Sequence, residues 1–283
     1  MKKLLLLSIL ASTFVWAEPV HSSISAYYES RDYTSSKQKD DAQLYGVGVD
    51  IHHKGSEYKV TYESNRANTK NPPLDRDLKN QKLFLRYAYA LNDSFEININ
   101  YLDILHDNIA LTNNGSIYGA GLTYHFNKKI SANFTEYYSN YDDFNLYQSD
   151  LKVDFKMKLN DIKIKLSSIT KYINIDEKNQ NSFTKNAKND YLTTGIKLIS
   201  HYKSYHLGGG IYFGKRVFAI MNDGFKVQHH AMEIDRTYAA CVGKDISKFV
   251  FRFQYIYQRA KELPMQNDNV EIKTMRFIAN YRF

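Results

Sequence analysis

The stretch Leu151-Lys-Val-Asp-Phe-Lys-Met-Lys-Leu159 places a large apolar side chain at every odd position and a charged one at every even position. The same alternation continues from Ile162 to Leu166, with Asn160-Asp161 between the two runs. Successive side chains of a strand point to opposite faces, whereas a helix of this sequence would scatter its lysines over the whole surface. The spacing therefore predicts a hairpin with a two-residue turn, in which Leu159 and Ile162 share a face.

This period of two recurs along the chain and predicts fourteen strands. They span residues 21–30, 42–52, 56–64, 80–91, 94–104, 116–126, 129–139, 146–159, 162–174, 189–200, 203–214, 230–242, 247–258 and 270–283. Short connections alternate strictly with longer, more polar ones, so both ends of the sheet lie on the short-turn side. Pro72, Pro73 and Pro264 fall in long connections, where they interrupt no hydrogen-bond ladder. The alternation slips near residues 168–170, which predicts a bulge in the ninth strand.

The first seventeen residues follow the order of a secretory signal peptide. Lys2 and Lys3 precede an apolar run, and Val15-Trp16-Ala17 precedes the expected cleavage before Glu18. We expect residues 1–17 to be removed and residues 18–283 to form a single domain. Beyond residue 17 no run of 18 apolar residues occurs, so helical membrane spans are not predicted. The sequence has one cysteine, which excludes an internal disulfide framework.

The predicted strands suit a membrane better than a soluble sandwich. Phe249, Phe251, Phe253, Tyr255 and Tyr257 lie on one face of one strand, and the chain contains 24 Tyr and 16 Phe in all. Such rings can form the aromatic girdles of a membrane barrel. Open sheet edges are not tolerated in lipid, so a spanning sheet must close. The sequence therefore predicts an all-β, transmembrane, antiparallel up-and-down β-barrel of about 14 strands. A soluble all-β domain is the alternative.

In these features the chain resembles the outer-membrane β-barrel proteins of Gram-negative bacteria. The resemblance is sharpest at Met275-Arg-Phe-Ile-Ala-Asn-Tyr-Arg-Phe283, which has alternating apolar positions and a terminal aromatic residue. This stretch is similar to the C-terminal signal that the barrel-assembly machinery recognises. The resemblance implies a location in the outer membrane, with lipid and that machinery as partners, and gives Phe277, Tyr281 and Phe283 the role of the assembly signal.

Barrels of fourteen strands include monomeric porins and fatty-acid transporters. The transporters carry an N-terminal plug domain, and the first predicted strand begins too close to Glu18 to leave room for one. The resemblance thus favours a porin, monomeric or weakly associated. Eight strands enclose a filled interior and sixteen to eighteen an aqueous channel, so a narrow water-filled pore is reasonable for fourteen.

Basic residues dominate the face that would line this pore. The predicted pore-lining positions are Lys59, Lys82, Arg86, Lys152, Lys156, Lys158, Lys163, Lys165, Lys197, Lys248, Arg252 and Arg276. In the hairpin, Lys158 should oppose Lys163 and Lys156 should oppose Lys165, and like charges directly opposed destabilise a sheet. Two interpretations remain open. The lysines form a basic constriction that favours anionic solutes, or they splay harmlessly in a wet interior.

Two other kinds of function compete with a pore for small hydrophilic or anionic solutes. Residues 215–229 are long enough to fold inward, and an occluded barrel would instead act as a surface receptor or adhesion protein. A barrel enzyme would need an acid–base set at the outer rim, for which His106-Asp107 or Asp142-Asp143 could be recruited. We expect no enzyme, since no known motif accompanies these residues.

Cofactors and nucleic acid are not expected either. His52-His53 and His229-His230 are adjacent pairs, whose side chains point to opposite faces of a strand, and no spacing of Cys, His and carboxylates completes a metal site. No glycine-rich phosphate loop follows a strand. The formal net charge of +8 is spread along strands and forms no nucleic-acid patch.

Overall fold

The structure is a computed structural model, and it describes residues 21–72, 74–107, 111–176, 184 and 186–283. The expected signal peptide, residues 1–17, lies outside the described residues. Within the described ranges, no helix is long and apolar enough to cross a membrane.

The described chain forms sixteen strands in which apolar and polar side chains alternate. In chain order they are β1 (His21–Thr34), β2 (Lys39–His53), β3 (Ser56–Thr69), β4 (Leu78–Ala90), β5 (Phe95–Asp107), β6 (Ser116–His125), β7 (Ile130–Asn140), β8 (Asn145–Leu159), β9 (Ile162–Asp176), β10 (Asp190–Tyr202), β11 (Tyr205–Arg216), β12 (Ile220–Met221), β13 (Lys226–Val227), β14 (Met232–Ile246), β15 (Phe249–Glu262) and β16 (Asn267–Arg282).

Fourteen of these strands close into one antiparallel barrel, while β12 and β13 pair only with each other. Each barrel strand pairs with the preceding and the following barrel strand, so that β11 pairs with β14, and β16 closes the ring against β1. The predicted all-β barrel of fourteen strands is confirmed. The turn at Asn160-Asp161 also lies where it was predicted, with Leu159 paired to Ile162 and Asn160 in the left-handed region at φ 52°.

Several strands run further than predicted on the side of the long connections. β1 continues to Thr34 and β3 to Thr69, which leaves a connection of only residues 35–38 between β1 and β2. These extensions are rich in polar and charged residues, such as Arg31 and Arg66. Their polar composition predicts loops. In the structure the two strands of a hairpin continue to pair through backbone hydrogen bonds beyond the apolar band.

The predicted bulge in β9 is wrong. Its register is continuous with β8 and with β10 from Ile162 onward. Lys163 and Lys165 face inward, and the same face continues through Ile169, Ile173 and Ile175, which are buried. The inner face therefore changes from exposed lysines to buried isoleucines halfway along the strand, with one buried lysine, Lys171, between Ile169 and Ile173, while the register does not change.

The outer surface carries a band of exposed apolar and aromatic side chains, as a bilayer requires. Rings near the short-turn end include Tyr89, Phe95, Tyr124, Phe126, Tyr202, Tyr205, Phe249 and Phe283. Rings nearer the opposite end include Tyr45, Tyr118, Tyr147, Tyr172 and Tyr238. Aliphatic side chains such as Val47, Ile99, Leu151 and Ile196 lie exposed between them. The outward face is thus a lipid-facing surface between two aromatic girdles.

The predicted assembly signal lies on this outward face. Phe277 and Phe283 are half exposed or more, and the Phe283 amide donates to the Ser22 carbonyl at 3.0 Å. The rings of Tyr281 and Phe283 contact each other edge-on, with centroids 5.1 Å apart. The final residues thus complete the seam between β16 and β1.

Candidate functional site: a lumen divided by an inward loop

The long connection between β11 and β14, residues 217–231, folds into the barrel; we call it the inward loop. It enters from the end of the barrel that carries the long connections. Its first residues, from Val217 to Ile220, are fully buried. The Phe218 ring packs against Phe144 with centroids 4.8 Å apart, and the apolar half of β9 belongs to the same buried cluster. The loop therefore fills part of the outer lumen with a dry core.

A single buried glutamine fixes the loop backbone to the barrel wall. The Gln148 side chain donates from Nε2 to the Ile220 carbonyl at 2.7 Å and accepts from the Ile220 amide at 2.8 Å. Gln148 is fully buried in β8. Both backbone groups of Ile220 are thus satisfied by one side chain, which sets the height of the β12–β13 hairpin in the lumen.

The tip of the hairpin makes polar contacts with β8 and β10. Asp223 pairs with Lys152 at 2.8 Å, and the Asn222 side-chain oxygen accepts from Lys197 at 3.3 Å. Burial raises the pKa of Asp223, but the neighbouring ammonium groups of Lys152 and Lys197 outweigh it and hold that pKa below the usual range of an aspartate. The tip therefore carries a stable negative charge among lysines.

The opposite side of the hairpin contacts β1, β3 and β4. The Phe225 ring packs on Phe84 with centroids 3.8 Å apart, and the Lys59 ammonium lies 5.0 Å from the Phe225 ring centre. Lys226 pairs with Glu29 of β1 at 3.3 Å. In the ring of fourteen strands, β1 and β8 lie seven strands apart in either direction. The hairpin therefore spans the lumen and divides it into two halves.

Half of the predicted pore-lining cations are paired with carboxylates of the inner wall or the inward loop. The pairs join Lys59 to Asp50 (2.8 Å), Lys82 to Glu63 (2.5 Å), Lys165 to Asp154 (2.8 Å), Arg86 to Glu96 (4.0 Å), Lys152 to Asp223 (2.8 Å) and Arg276 to Glu29. Five of these carboxylates each offset one of the predicted cations, whereas Glu29 is shared by Arg276, Arg31 and Lys226. A count of inward lysines and arginines therefore overstates the positive charge of the lumen.

The remaining predicted positions have no carboxylate within 4.0 Å among the described residues. They are Lys156, Lys158, Lys163, Lys197, Lys248 and Arg252. Lys248 lies in the turn between β14 and β15 and not in a barrel strand. Its ammonium is 6.0 Å from the ring centre of Tyr281, so it belongs to the rim and not to the inner wall.

The register of the β8–β9 hairpin places its lysines as predicted. Lys156 is opposite Lys165, and Lys158 is opposite Lys163. Asp154 offsets the first pair, because it holds Lys165 at 2.8 Å. No described carboxylate lies within ion-pair distance of Lys158 or Lys163, and both side chains are exposed to the open short-turn end. Because Lys158 and Lys163 are solvated and lie far from the buried apolar cluster, water screens the repulsion between their ammonium groups.

On one side of the inward loop, between the loop and strands β10, β11 and β14–β16 with β1, lies a cavity of about 390 Å³. Its charged lining consists of Arg31, Lys197, Arg216, Lys226, Arg252 and Arg276, with His201, His206, His229 and His230. Among the described residues that line it there is no aspartate or glutamate. We call it the basic cavity. Of the six cations, Lys197, Arg216 and Arg252 have no carboxylate within 4.0 Å in the described chain.

Small residues on the inner wall make room for the basic cavity. Gly208, Gly210, Ala239, Cys241 and Gly243 are neighbours on the inner face of β11 and β14. A Cβ built at Gly208 would meet nothing closer than 3.5 Å. Gly208 is therefore not required by a close approach of other atoms, whereas Gly243 is, since a Cβ there would lie 2.8 Å from the Phe251 carbonyl oxygen. The effect of the small residues is to leave open space beside the loop.

On the other side of the loop, β4 to β8 enclose a smaller cavity of about 140 Å³. Its charged lining is Arg86, Lys152 and Lys156 with Glu96, Asp154 and Asp223, and His125. Three cations face three carboxylates. The loop thus separates a balanced half of the lumen from a basic half.

Sequence reasoning missed several of the residues that define this arrangement. Glu29 is inward by simple alternation and could have been found that way. Lys171, which pairs with Asp150, was lost because we inferred a bulge in β9. Arg216 and Lys226 lie at and beyond the end of β11, and alternation gave no information on an inward loop.

The positions considered for other chemistry do not assemble into a site in the described chain. Among the described residues, no group of three or more His, Cys, Asp or Glu side chains could hold a metal ion. The side chains of His106 and Asp107 lie outside the described part of the structure. Asp142 is exposed in the connection between β7 and β8, residues 141–144, and Asp143 beside it is half-buried.

The sequence matches no protein-family profile and no curated protein. The fold does match solved structures. The chain is similar to a structure described as a bacterial polysaccharide outer membrane secretin, with a TM-score of 0.55, 10% identity, and coverage of 93% of this chain and 98% of that one.

Two further matches come from Pseudomonas aeruginosa. OccK8 (OprE) has a TM-score of 0.48 and 13% identity over 93% of this chain and 97% of that one. OpdL has a TM-score of 0.45 and 10% identity over 93% and 98%. At the level of fold, the closed barrel and the match to the outer membrane secretin identify the chain as a β-barrel of the outer-membrane type.

Proposed function

We propose that this protein is an outer-membrane porin that passes small hydrophilic solutes, prefers anions, and is narrowed by its own inward loop. The observation that carries the proposal is the basic cavity beside the loop. Six lysines and arginines line it; Arg31, Lys226 and Arg276 share the single carboxylate of Glu29, and Lys197, Arg216 and Arg252 have no described carboxylate within 4.0 Å. Rings of like charge select ions of the opposite sign in other pores, and the selection is strongest where the passage is narrow.

The location of the unpaired cations supports a path through the basic half of the lumen. Lys197 and Arg252 lie on β10 and β15, in the central and short-turn parts of the wall, while Arg216 lies towards the long connections. An anion that moves along this half meets these cations in succession. The other half offers a smaller space with balanced charge, so it contributes less to selectivity.

Planar-bilayer recording of the refolded barrel tests the proposal. We expect steady single-channel conductance and a reversal potential that reports anion preference across a salt gradient near 0.1 M, where the Debye length is about 10 Å. Arg252→Gln with Lys197→Gln should reduce that preference. Lys203→Gln, an exposed lysine in the turn between β10 and β11, should leave it unchanged and serves as the matched charge control.

The native cysteine gives an independent measurement, because Cys241 lines the basic cavity and is partly exposed there. Its modification rate is compared for an anionic sulfonatoethyl and a cationic trimethylammonium-ethyl methanethiosulfonate, each normalised to its rate with a small free thiol. We expect the anionic reagent to be favoured. Cation preference in both measurements would overturn the anion path, and a folded barrel without conductance would favour the occluded receptor.

A further inference from the structure

Two histidines of neighbouring strands face each other at the short-turn end of the lumen. His21 begins β1, His52 lies one residue before the end of β2, and the two are direct partners in the β1–β2 register. Ile24 of β1 and Val49 of β2 are exposed on the lipid-facing surface, so alternation directs both histidines to the inner face. His53, beside His52 in the sequence, points to the opposite face. The partner of His52 therefore comes from the neighbouring strand.

Both imidazoles are open to solvent and can reach a common ion. His21 is exposed, and the side chain of His52 is 54% exposed. Side chains directly opposed across antiparallel strands have Cβ atoms about 4.5–5.5 Å apart. A zinc–imidazole bond is about 2.0–2.1 Å long, so two nitrogens that share an ion lie roughly 3 Å apart. Rotation of the two exposed rings reaches this separation without a change in the backbone.

The groups around His52 favour a dication. Oδ1 of Asp50 lies 3.1 Å from Nε2 of His52 but accepts no hydrogen bond from the described residues, while its Oδ2 pairs with Lys59 at 2.8 Å. A histidine that binds a metal through one ring nitrogen usually donates its other N–H to a carboxylate. With an ion on Nδ1 of His52, Asp50 is placed to accept from Nε2. Glu57 opposes His52 on β3 and lies 3.5 Å from Lys59, so two carboxylates outnumber one ammonium group beside the pair.

We propose that His21 and His52 bind one divalent transition-metal ion at the short-turn mouth of the barrel, with water completing its coordination. Imidazole suits Cu²⁺, Zn²⁺ and Ni²⁺, and Cu²⁺ forms the tightest complexes of these ions. Two protein ligands are fewer than a closed structural metal centre uses, so the ion exchanges and is not a resident cofactor. The inference goes beyond the proposed function and does not depend on it, since the site does not require that the barrel conducts.

A second opposed pair, His201 of β10 and His206 of β11, has surroundings that disfavour a metal. Nδ1 of His206 is buried without a hydrogen-bond partner in the described chain, and its Nε2 pairs with Asp245, so neither nitrogen is open to an ion. Lys163 directly opposes His201 on β9 and adds a positive charge. We therefore expect this pair to bind no ion, and it supplies a control for the first pair.

Copper binding to the refolded barrel in detergent tests the proposal. Cu²⁺ is added in the presence of glycine, which competes for loosely held ions, and pulsed electron paramagnetic resonance counts the imidazoles on the bound ion. We expect saturation at one Cu²⁺ per barrel, with two imidazoles coordinated. His21→Asn and His52→Asn should each weaken binding by roughly tenfold or more, and any ion that remains should carry one imidazole only.

Two matched variants remove a histidine outside the site. His53→Asn changes the neighbouring residue on the opposite face of β2, and His201→Asn changes the second pair; both should keep the affinity and the two-imidazole spectrum. Binding that persists unchanged in His52→Asn, or that is lost in His201→Asn, would overturn the site. Loss in His21→Asn alone would place the ion on the amino-terminal segment and would also overturn it. A folded barrel without saturable Cu²⁺ binding would overturn the proposal as a whole.

Discussion

Replacing Gln148 with methionine should release the root of the inward loop while leaving the barrel closed. The substitution keeps the length of the side chain and removes both of its hydrogen bonds to Ile220, at 2.7 and 2.8 Å, together with the one it donates to Asp150 within β8, at 2.8 Å. Gln148 and Ile220 are fully buried, so no water replaces these partners unless the loop moves.

The cost follows from the two backbone groups left without partners. A buried polar group that loses its hydrogen bond costs about 1–3 kcal/mol, so the closed position of the loop loses roughly 2–6 kcal/mol. At 1.4 kcal/mol per factor of ten, its opening equilibrium rises by roughly 30-fold to 10⁴-fold. The packing of Phe218 and the ion pair of Asp223 remain, which places the effect on local opening and not on detachment of the whole loop.

Hydrogen exchange of the refolded barrel in detergent measures this opening. The amides of residues 217–221 should exchange at least about 30-fold faster in Gln148→Met, while the amides that pair β1 with β16 keep their rates. Gln258→Met is the matched control, since Gln258 also faces the lumen but donates to Thr237 and not to the loop. Unchanged exchange of residues 217–221 would refute the assignment of Gln148 as the clamp.

Three further outcomes can be measured. Lys152 and the charges around it lower the pKa of Asp223, so the ion pair between Asp223 and Lys152 is fully formed above about pH 4 and is lost only as the pH falls below the ordinary aspartate range. Conductance should therefore show no acid-induced opening between pH 8 and 4, and opening near pH 5–6 would contradict this. Lys158→Gln removes the like-charge contact with Lys163, so the urea midpoint should rise by the equivalent of about 0.2–1 kcal/mol; a lower midpoint would show that the contact is not repulsive. Phe283→Leu should reduce assembly in cells severalfold but change the stability of the refolded barrel by less than about 1 kcal/mol, because leucine keeps an apolar side chain against the lipid; equal losses in both assays would assign Phe283 a structural role only.

Local alternation was sufficient to predict the barrel strands. The hairpin of β8 and β9 illustrates why: the polarity of each residue from Leu151 to Leu159 indicates whether its side chain faces the lipid or the lumen, and Asn160-Asp161 forms the turn. The inward loop has no such internal signal. Its entry, Val217-Phe-Ala-Ile220, is apolar like a short strand, and only the closed barrel shows that this segment packs inside the ring.

The error in β9 has the same origin. Ile169 and Ile173 are inward residues, but apolar side chains at inward positions of a barrel with a water-filled interior suggest, from the sequence alone, that the register has shifted by one residue. The inward loop makes those positions dry, so isoleucine is the suitable residue there. With the correct register, Lys171 is an inward residue, and it forms an ion pair with Asp150 of β8.

The net charge of the lumen could not be predicted from the sequence, because ion pairs between strands depend on how the strands of the closed barrel pair with one another. Lys82 and Arg86 were both predicted to line the pore, yet Glu63 and Glu96 offset them on neighbouring strands. The loop then divides what remains. One half of the lumen holds equal numbers of cations and carboxylates, and the other lines its open space with cations only. In the proposed pore, an anion would respond to the charges along the half through which it passes. The predicted Arg252 shares the basic half with Arg216, which the alternation of strand residues could not have placed there.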